Sequence, residues 1–399
     1  MSATRNIVLL SGNQAITGSS QGIVIAVGAL AAATLAPDRA LATVPTTVMI
    51  IGMALTAGPA AIILHRLGRT RGLMLGVVIA MVGGLVAALS LVLGSFVVLA
   101  FGYGLIGAAA AFGQQTRFAA ADSVPPDMKA RAVSWVMFGG VLAGFLGPRL
   151  ASMTAEAVPG ASYAGSFLSL AALGIVALAL LSFTQLPKGE RRPEKGTDGR
   201  PTAQLLRDPD IFVPMVTAMA SYVLMTFVMV AAPLAMVYLC GHTTADAANS
   251  IQWHVVAMFA PSFVTGAIIN RIGTHLTIGI GLVLILAAAA TSLHGITTLH
   301  FDIALILLGL GWNFGFIGST VMLSKGYRPE EGARVQALNE QFVFGTMAIA
   351  SIGAGVLLNI LGWGAINMMV VPIAGAALAL LIWADFRGRR VRQAAMPSD

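Results

Sequence analysis

Apolar runs of about 20 residues recur along the whole of this 399-residue chain, and short polar segments separate them. A run of that length can span the hydrocarbon core of a bilayer as an α-helix. Charged residues make up 10% of the chain, whereas soluble domains carry about 25%. We therefore predict an all-α integral membrane protein.

Twelve such runs can be counted, and we number the predicted helices 1 to 12 in chain order. Helices 1 to 6 are predicted at 6–34, 43–64, 72–93, 96–118, 132–153 and 163–184, and helices 7 to 12 at 211–239, 250–269, 276–296, 301–323, 341–361 and 366–384. The segment between the two sets is rich in Pro, Gly and charged residues, which is typical of a flexible linker. The predicted domains are a bundle at 1–186, a linker at 187–210 and a bundle at 211–399.

Two short phrases occur twice, about half the chain apart. PDMKAR at 126–131 is followed 203 residues later by PEEGAR at 329–334, and HRLGRTR at 65–71 corresponds to NRIGTH at 270–275. Two independent matches at nearly one offset indicate a duplicated unit. Two pseudo-symmetric six-helix bundles are the usual construction of a secondary transporter.

The basic residues predict the orientation of the helices. Of the 23 Lys and Arg residues, all but Arg39 and Arg149 fall on one side when the twelve helices are threaded through a membrane. That side is predicted to be the cytoplasm, so both termini and the linker are cytoplasmic. The net charge of +7 is spread over these loops, so no nucleic-acid partner is predicted. We expect a multi-pass protein of the bacterial inner (plasma) membrane.

The loop after helix 2 carries a recognisable signature. RLGR at 66–69 matches the centre of G-x-x-x-D-R-x-G-R-K/R, although Ala61 replaces its first glycine and His65 replaces its aspartate. The second copy, at 266–273, keeps two glycines and the arginine. In this signature, and in its six-plus-six helices, the chain resembles the major facilitator superfamily. The resemblance implies that family's fold and alternating-access transport.

The second half gives a narrower resemblance. IQWHVVAMFAPSFVTG, LGLGWNFGFIGSTVML and RVQALNEQFVFG are similar to a bacterial subgroup of the superfamily with which a riboflavin transporter is associated. Gly147-Pro148 resembles the core of the antiporter motif, which favours export. Helix 4 lacks the arginine of drug–proton antiporters, which favours import or facilitated diffusion. The direction of transport is left open.

Helix 1 carries a polar stripe formed by Asn13, Gln14, Thr17, Ser20 and Gln21. At 100° per residue these side chains fall within an arc of about 120°. Lipid cannot satisfy such a stripe, so it must face protein or water. It either lines a solute cavity, which we favour, or forms hydrogen bonds between helices.

Further candidate solute contacts lie in helices 4, 7 and 10, where aromatic and amide groups could stack on a planar solute and bond to it. Arg117 has two interpretations, because it could reach the solute or pair with Asp122 and anchor helix 4. Trp312-Asn313 lies among flexible glycines and could instead be close helix packing. The predicted substrate-binding residues are Asn13, Thr17, Gln21, Tyr103, Gln114, Arg117, Tyr222, Thr226, Trp312 and Asn313.

Gating residues follow from the resemblance, in which an acid at the end of helix 4 contacts arginines of the 2–3 loop. Arg66 or Arg69 with Asp122 is the pair expected here, unless the loop arginines only set the orientation. The predicted gating residues are Arg66, Gly68, Arg69, Asp122, Arg131, Arg271, Arg334 and Glu340.

We expect no Asp or Glu in the middle of any span, although such carboxylates are the usual proton relays of transporters. Proton coupling would then use Asp122, His254 or Glu340, with the last two near the starts of helices 8 and 11. Facilitated diffusion is the alternative. No cofactor is predicted, and no metal, since clustered metal ligands are lacking.

The predicted function is secondary active or facilitative transport of a small organic solute. The protein is predicted to be a monomer, and its other predicted partners are the lipid bilayer and, if transport is coupled, protons. The alternatives are proton-coupled efflux of drug-like compounds, riboflavin-type vitamin uptake, and a transporter-like sensor. No catalytic constellation is visible, so an enzyme is not expected.

Overall fold

The computed structural model describes residues 2–37, 41, 44–186 and 199–394. Throughout these residues the regular structure is helical, which confirms the predicted all-α class. The first half of the predicted linker, 187–198, lies outside the described residues, as do Arg39 and the last residues of the tail.

Apart from one short helical turn at Thr202–Leu205, the described α-helices form twelve segments, which we label α1 to α12. Their bounds are Ser2–Leu35 for α1, Val44–Leu67 for α2, Arg69–Leu93 for α3, Phe96–Asp122 for α4, Lys129–Thr154 for α5 and Ala164–Ser182 for α6. They continue with Pro209–Leu239 for α7, Thr244–Phe259 with Ser262–Ile272 for α8, Thr274–His294 for α9, Thr298–Gly326 for α10, 332–361 for α11 and 363–394 for α12.

Length and composition agree with membrane spans. Over the described residues, nine helices are long and apolar enough to cross a membrane, and the bent α8 makes a tenth. That count takes α11 and α12 together, although Gly362 breaks the helix with φ +78°. With α1, which is 34 residues long, the segments number twelve and fit the predicted fold.

The chain folds into two compact units. The first comprises Met1–Asp198 and Gly332–Ala348, and the second comprises Gly199–Glu331 and Ile349–Asp399. Helix α11 is therefore divided between the units, with Gly332–Ala348 in the first and its remaining residues, from Ile349, in the second. The predicted bundle bounds, 1–186 and 211–399, stay a prediction.

The two repeated phrases adopt matching conformations. Gly68 joins α2 to α3 with φ +88°, and Gly273 joins α8 to α9 with φ +85°. Only glycine adopts this combination of φ and ψ at little cost, so both copies of the loop need it. Helices α5 and α11 begin at Lys129 and Gly332, with the same offset of 203 as the PDMKAR and PEEGAR phrases.

Small residues bring neighbouring helices into close contact. A Cβ added at Gly139 would lie 2.4 Å from the Ser11 carbonyl oxygen, and one at Gly147 would lie 2.6 Å from that of Ser19. The Gly147-Pro148 element thus lies where α5 crosses α1. Close approach through small residues is how helices associate in lipid, where no hydrophobic force drives them together.

Two expected helix starts were wrong. Helix α11 begins at Gly332, after the 3-10 turn Pro329–Glu331, so Glu340 lies well inside it rather than at its start. His254 likewise lies within α8, which begins at Thr244. Glu340 is the ninth residue of α11 and is fully buried. Hydropathy missed these residues because other helices, rather than lipid, satisfy their polar groups.

Candidate functional site

The polar stripe of α1 lies against a pocket inside the first unit. The pocket has a volume of about 40 Å³ and is lined by α1, α3, α4 and α6. Its polar lining comes from Asn13, Gln14, Thr17, Ser20, Gln21 and Gln114. Small residues of the facing helices, including Gly76 and Gly174, also line it. The stripe thus faces a cavity, as favoured from the sequence.

Asn13 has unused hydrogen-bonding capacity in this pocket. Its side chain is 1% exposed, and neither Oδ1 nor Nδ2 has a partner in the protein. Thr17 lies one turn further along α1 and donates its hydroxyl to the Asn13 carbonyl oxygen. Burying an amide without partners costs free energy. The α1 wall of the pocket therefore offers a side-chain amide whose donor and acceptor are both unused.

A chain of hydrogen bonds leads from the pocket to α11. Arg117 donates through Nη1 to the Gln114 side-chain Oε1 at 3.0 Å and through Nη2 to Glu340 Oε1 at 2.6 Å. Arg117 and Glu340 are 1% and 0% exposed. Asn339 donates to the same Glu340 oxygen at 2.9 Å, and the Arg117 guanidinium lies 4.8 Å from the Phe118 ring centroid. Gln114, a pocket residue, is therefore held by a buried ion pair.

The alternative pairing of Arg117 with Asp122 is wrong. Arg117 pairs with Glu340 of α11, and Asp122 pairs with Arg69. Asp122 ends α4, beyond Arg117 on a short helical segment that begins after Gln115. The sequence placed Asp122 next to both arginines but gave no sign that α11 would supply the other carboxylate.

The second ion pair joins α3, α4 and α11. Arg69 bonds to Asp122, to Gln336 Oε1 at 2.7 Å and to His65 Nε2 at 3.0 Å. His65 is also 3.2 Å from the same Gln336 oxygen. Arg69 is 3% exposed although it begins a loop-flanking helix. Of the two arginines offered for the Asp122 pair, the structure brings Arg69 to it.

The other predicted gating residues lie differently. Gly68 makes the turn before Arg69, whereas Arg66, Arg131 and Arg271 are exposed and Arg334 is half-buried. Exposed arginines on one side of a bundle suit the orientation role that the sequence left as an alternative.

In the second unit, Trp312 lies in an aromatic cluster. Its ring stacks on Phe316 at 5.1 Å between centroids and meets Tyr222 and Phe259 edge-on at 5.5 and 5.6 Å. Trp312 is 2% exposed, yet its Nε1 has no partner. The aromatic groups predicted for helices 7 and 10 therefore contact one another, and the tryptophan keeps one free donor.

Asn313 binds α8 to α10. It donates to the Met258 carbonyl oxygen at 2.6 Å and to the Ser262 hydroxyl at 2.7 Å, and its Oδ1 accepts from Thr265 at 2.7 Å. Both amide groups are thus engaged within the protein. This arrangement favours the packing interpretation of the GLGWNFG segment for Asn313.

Three other predicted residues are buried. The Tyr103 hydroxyl donates to the Gly28 carbonyl oxygen at 3.0 Å within the core of the first unit. His254 is fully buried, and its Nδ1 lies 2.7 Å from the Leu305 carbonyl oxygen. Thr226 is nearly buried on α7. For Tyr103 and His254, the contacts join helices of one unit.

One cluster was missed from the sequence. Arg200 donates to both Glu331 side-chain oxygens at 2.7 Å and also pairs with Asp208, all within the second unit. The pKa of the Arg200 guanidinium lies above its ordinary value, and the hydrogen bond to Glu331 is the main cause. Glu331 lies in the PEEGAR phrase, but its counterpart in PDMKAR is Met128, so the repeat gave no signal for this carboxylate. The part of the chain that the structure describes holds no group of three or more metal-ligating side chains.

A family model described as the Major Facilitator Superfamily matches residues 10–345. The chain belongs to this superfamily. It is a multi-pass membrane transporter of a small solute, as predicted from the sequence. The family is not an enzyme class.

Individual relatives agree with this assignment. The chain is 45% identical over 381 residues to the riboflavin transporter RfnT of Brucella anthropi, covering 95% of this chain and 96% of that protein. The xylose symporter XylE has a TM-score of 0.77 at 13% identity, over 96% of this chain and 95% of the other. FucP in its outward conformation has a TM-score of 0.73 at 15% identity, over 97% and 99%. The two structural likenesses show the shared fold.

The Arg117–Glu340 pair generates a stability prediction. Glu340→Gln or Arg117→Gln alone should destabilise the protein by about 3–5 kcal/mol, because each leaves one buried charge without its partner. The double variant should be more stable than either single variant. Thermal unfolding in detergent measures this, with the exposed Glu156→Gln as the control. Unchanged midpoints in the single variants, or strictly additive losses in the double variant, would contradict the pairing.

Proposed function

We propose that this protein transports riboflavin, or a flavin with the same ring system, across the bacterial inner membrane by alternating access. The 45% identity to a riboflavin transporter over nearly the whole of both chains carries the proposal. The amide-rich pocket of the first unit supports it, because a flavin ring presents carbonyl and N–H groups along one edge. Amides can both donate to and accept from such an edge.

The size of the pocket decides how much of the solute it would take. A volume of about 40 Å³ is small beside the three fused rings of a flavin. The pocket would therefore receive one polar edge of a flavin rather than its three fused rings.

The orientation proposed places both termini and the linker in the cytoplasm, on the strength of the Lys and Arg distribution. One chain supplies both six-helix sets, so a monomer would suffice. Glu340 is the carboxylate proposed for proton coupling, since it is fully buried and its Oε2 has no partner.

We assign the Arg69–Asp122–Gln336 cluster to closure of the cytoplasmic side. Arg69 joins the loop after α2 to the end of α4 and to the first half of α11. Such a cluster must break if α11 is to leave the first unit during transport. Its bonds would then favour one conformation without touching the solute.

Riboflavin flux into proteoliposomes tests the proposed function. Purified protein should give saturable flux that exceeds the flux in empty liposomes, and lumiflavin should compete while sugars and drug-like cations should not. An imposed pH gradient in the same assay should accelerate the flux if protons are cotransported. Absence of saturable riboflavin flux, or saturable flux of drug-like cations instead, would overturn the assignment.

Arg69→Ala and Asp122→Ala test the gate. Each should slow riboflavin flux by about fivefold or more while changing its equilibrium affinity much less, because the cluster acts on the conformational equilibrium. Arg71→Ala, an exposed arginine of the same loop, is the matched control. Equal losses of flux and affinity in the two gate variants would place these residues in solute binding instead.

A further inference from the structure

We propose that Asn13 and Gln114 form an amide pair that reads the imide edge of the flavin pyrimidine ring, an N–H group flanked by two carbonyls. This inference rests on the proposed function and adds which atoms of the solute are recognised and by which residues. It is carried by three observations, namely the unused amide of Asn13, the fixed orientation of Gln114 and the small size of the pocket between them.

Asn13 provides both a donor and an acceptor to the pocket. Its side chain is 1% exposed, lines the pocket and has no partner for Oδ1 or Nδ2. Asn313 and Asn367 are also buried, yet each donates through Nδ2 within the protein. The unmet hydrogen bonds of a buried amide are a cost that a bound solute could remove.

Gln114 presents its amide in one orientation only. An arginine can donate hydrogen bonds but cannot accept them, so Arg117 selects the Oε1 end of the Gln114 amide. Arg117 is itself held by Glu340 at 2.6 Å. The Nε2 donors of Gln114 are therefore the end left for other partners.

The two amides match an imide in polarity. Gln114 would donate to one carbonyl, while Asn13 would accept from the N–H and donate to the second carbonyl. An imide is rigid, so its acceptor–donor–acceptor order is fixed. A ribityl hydroxyl group can rotate to donate or to accept a hydrogen bond. It would therefore bind either end of the Gln114 amide and would not need the amide held in one orientation. The edge of a ring also suits a pocket of about 40 Å³ better than a whole ring does.

The experiment compares equilibrium binding of riboflavin, 3-methylriboflavin and lumiflavin to the full-length protein in detergent. Methylation removes the N–H donor, so wild type should bind 3-methylriboflavin about tenfold or more weakly than riboflavin, since sites built to hydrogen-bond a group reject analogues without it. Lumiflavin lacks the ribityl chain and keeps the imide, and it should bind nearly as well as riboflavin.

Asn13→Leu should bind riboflavin and 3-methylriboflavin with equal affinity, within about twofold, because no acceptor faces the N–H. Its thermal stability should equal or exceed that of wild type, since a buried amide without partners has been removed. Asn367→Leu is the matched control, with the same substitution at another buried asparagine, and should keep the wild-type discrimination.

Gln114→Glu gives a second, independent variant. It keeps an oxygen for Arg117 but presents an acceptor to the pocket in place of the amide donor. Riboflavin affinity should fall about tenfold or more, because a carboxylate oxygen would then face a flavin carbonyl oxygen. The proposal is overturned if Asn13→Leu still prefers riboflavin to 3-methylriboflavin as strongly as wild type does, or if Gln114→Glu binds riboflavin with unchanged affinity. It is also overturned if wild type binds 3-methylriboflavin as well as riboflavin and loses affinity for lumiflavin. A wild type that binds no flavin refutes the proposed function instead.

Discussion

The Arg117 guanidinium is the constraint around which the first unit is organised. It is 1% exposed, and an arginine does not lose its charge when it is buried. A buried charge of this kind is tolerated only with a paired, hydrogen-bonded partner. Glu340 is that partner, and it lies on α11, 223 residues further along the chain.

Because the partner lies on α11, the first half of that helix belongs to the first unit. The same part of α11 carries Asn339, which donates a hydrogen bond to Glu340, and Gln336, which accepts one from Arg69. On its other side, Arg117 fixes Gln114 and thereby one wall of the pocket. One ion pair thus links the wall of the pocket to α11, which is divided between the two units.

The sequence predicted what depends on length and composition. Runs of about 20 apolar residues predicted the helices, and the repeated loops predicted turns that Gly68 and Gly273 make with matching backbone angles. The stripe on α1 was likewise readable from helical periodicity. What the sequence could not predict is which polar groups on distant helices meet, and so the partner of Arg117 and the start of α11 were missed. The Trp312-Asn313 segment shows the same limit, since packing and solute binding need the same residue types.

The two halves share a scaffold but differ in their polar clusters. At the repeat offsets, Asp122 corresponds to Lys325 and Arg69 to Thr274, so the second unit has no copy of the Arg69–Asp122 pair. It holds instead the Arg200–Glu331–Asp208 cluster, in which the second part of the predicted linker is bound to the turn before α11. Both clusters, with the Arg117–Glu340 pair, act on α10, α11 or their connections. Movement of α11 would therefore have to exchange several charged contacts at once.

The central claim is that the Glu340–Arg117–Gln114 chain determines what the pocket recognises. It is tested most directly by the affinities of Glu340→Gln for riboflavin and 3-methylriboflavin, measured below its unfolding temperature and beside Glu156→Gln. Releasing Arg117 frees the Gln114 amide to turn, so the account predicts weaker riboflavin binding and a smaller penalty for methylation in Glu340→Gln. Wild-type affinity with full discrimination in that variant would contradict the account.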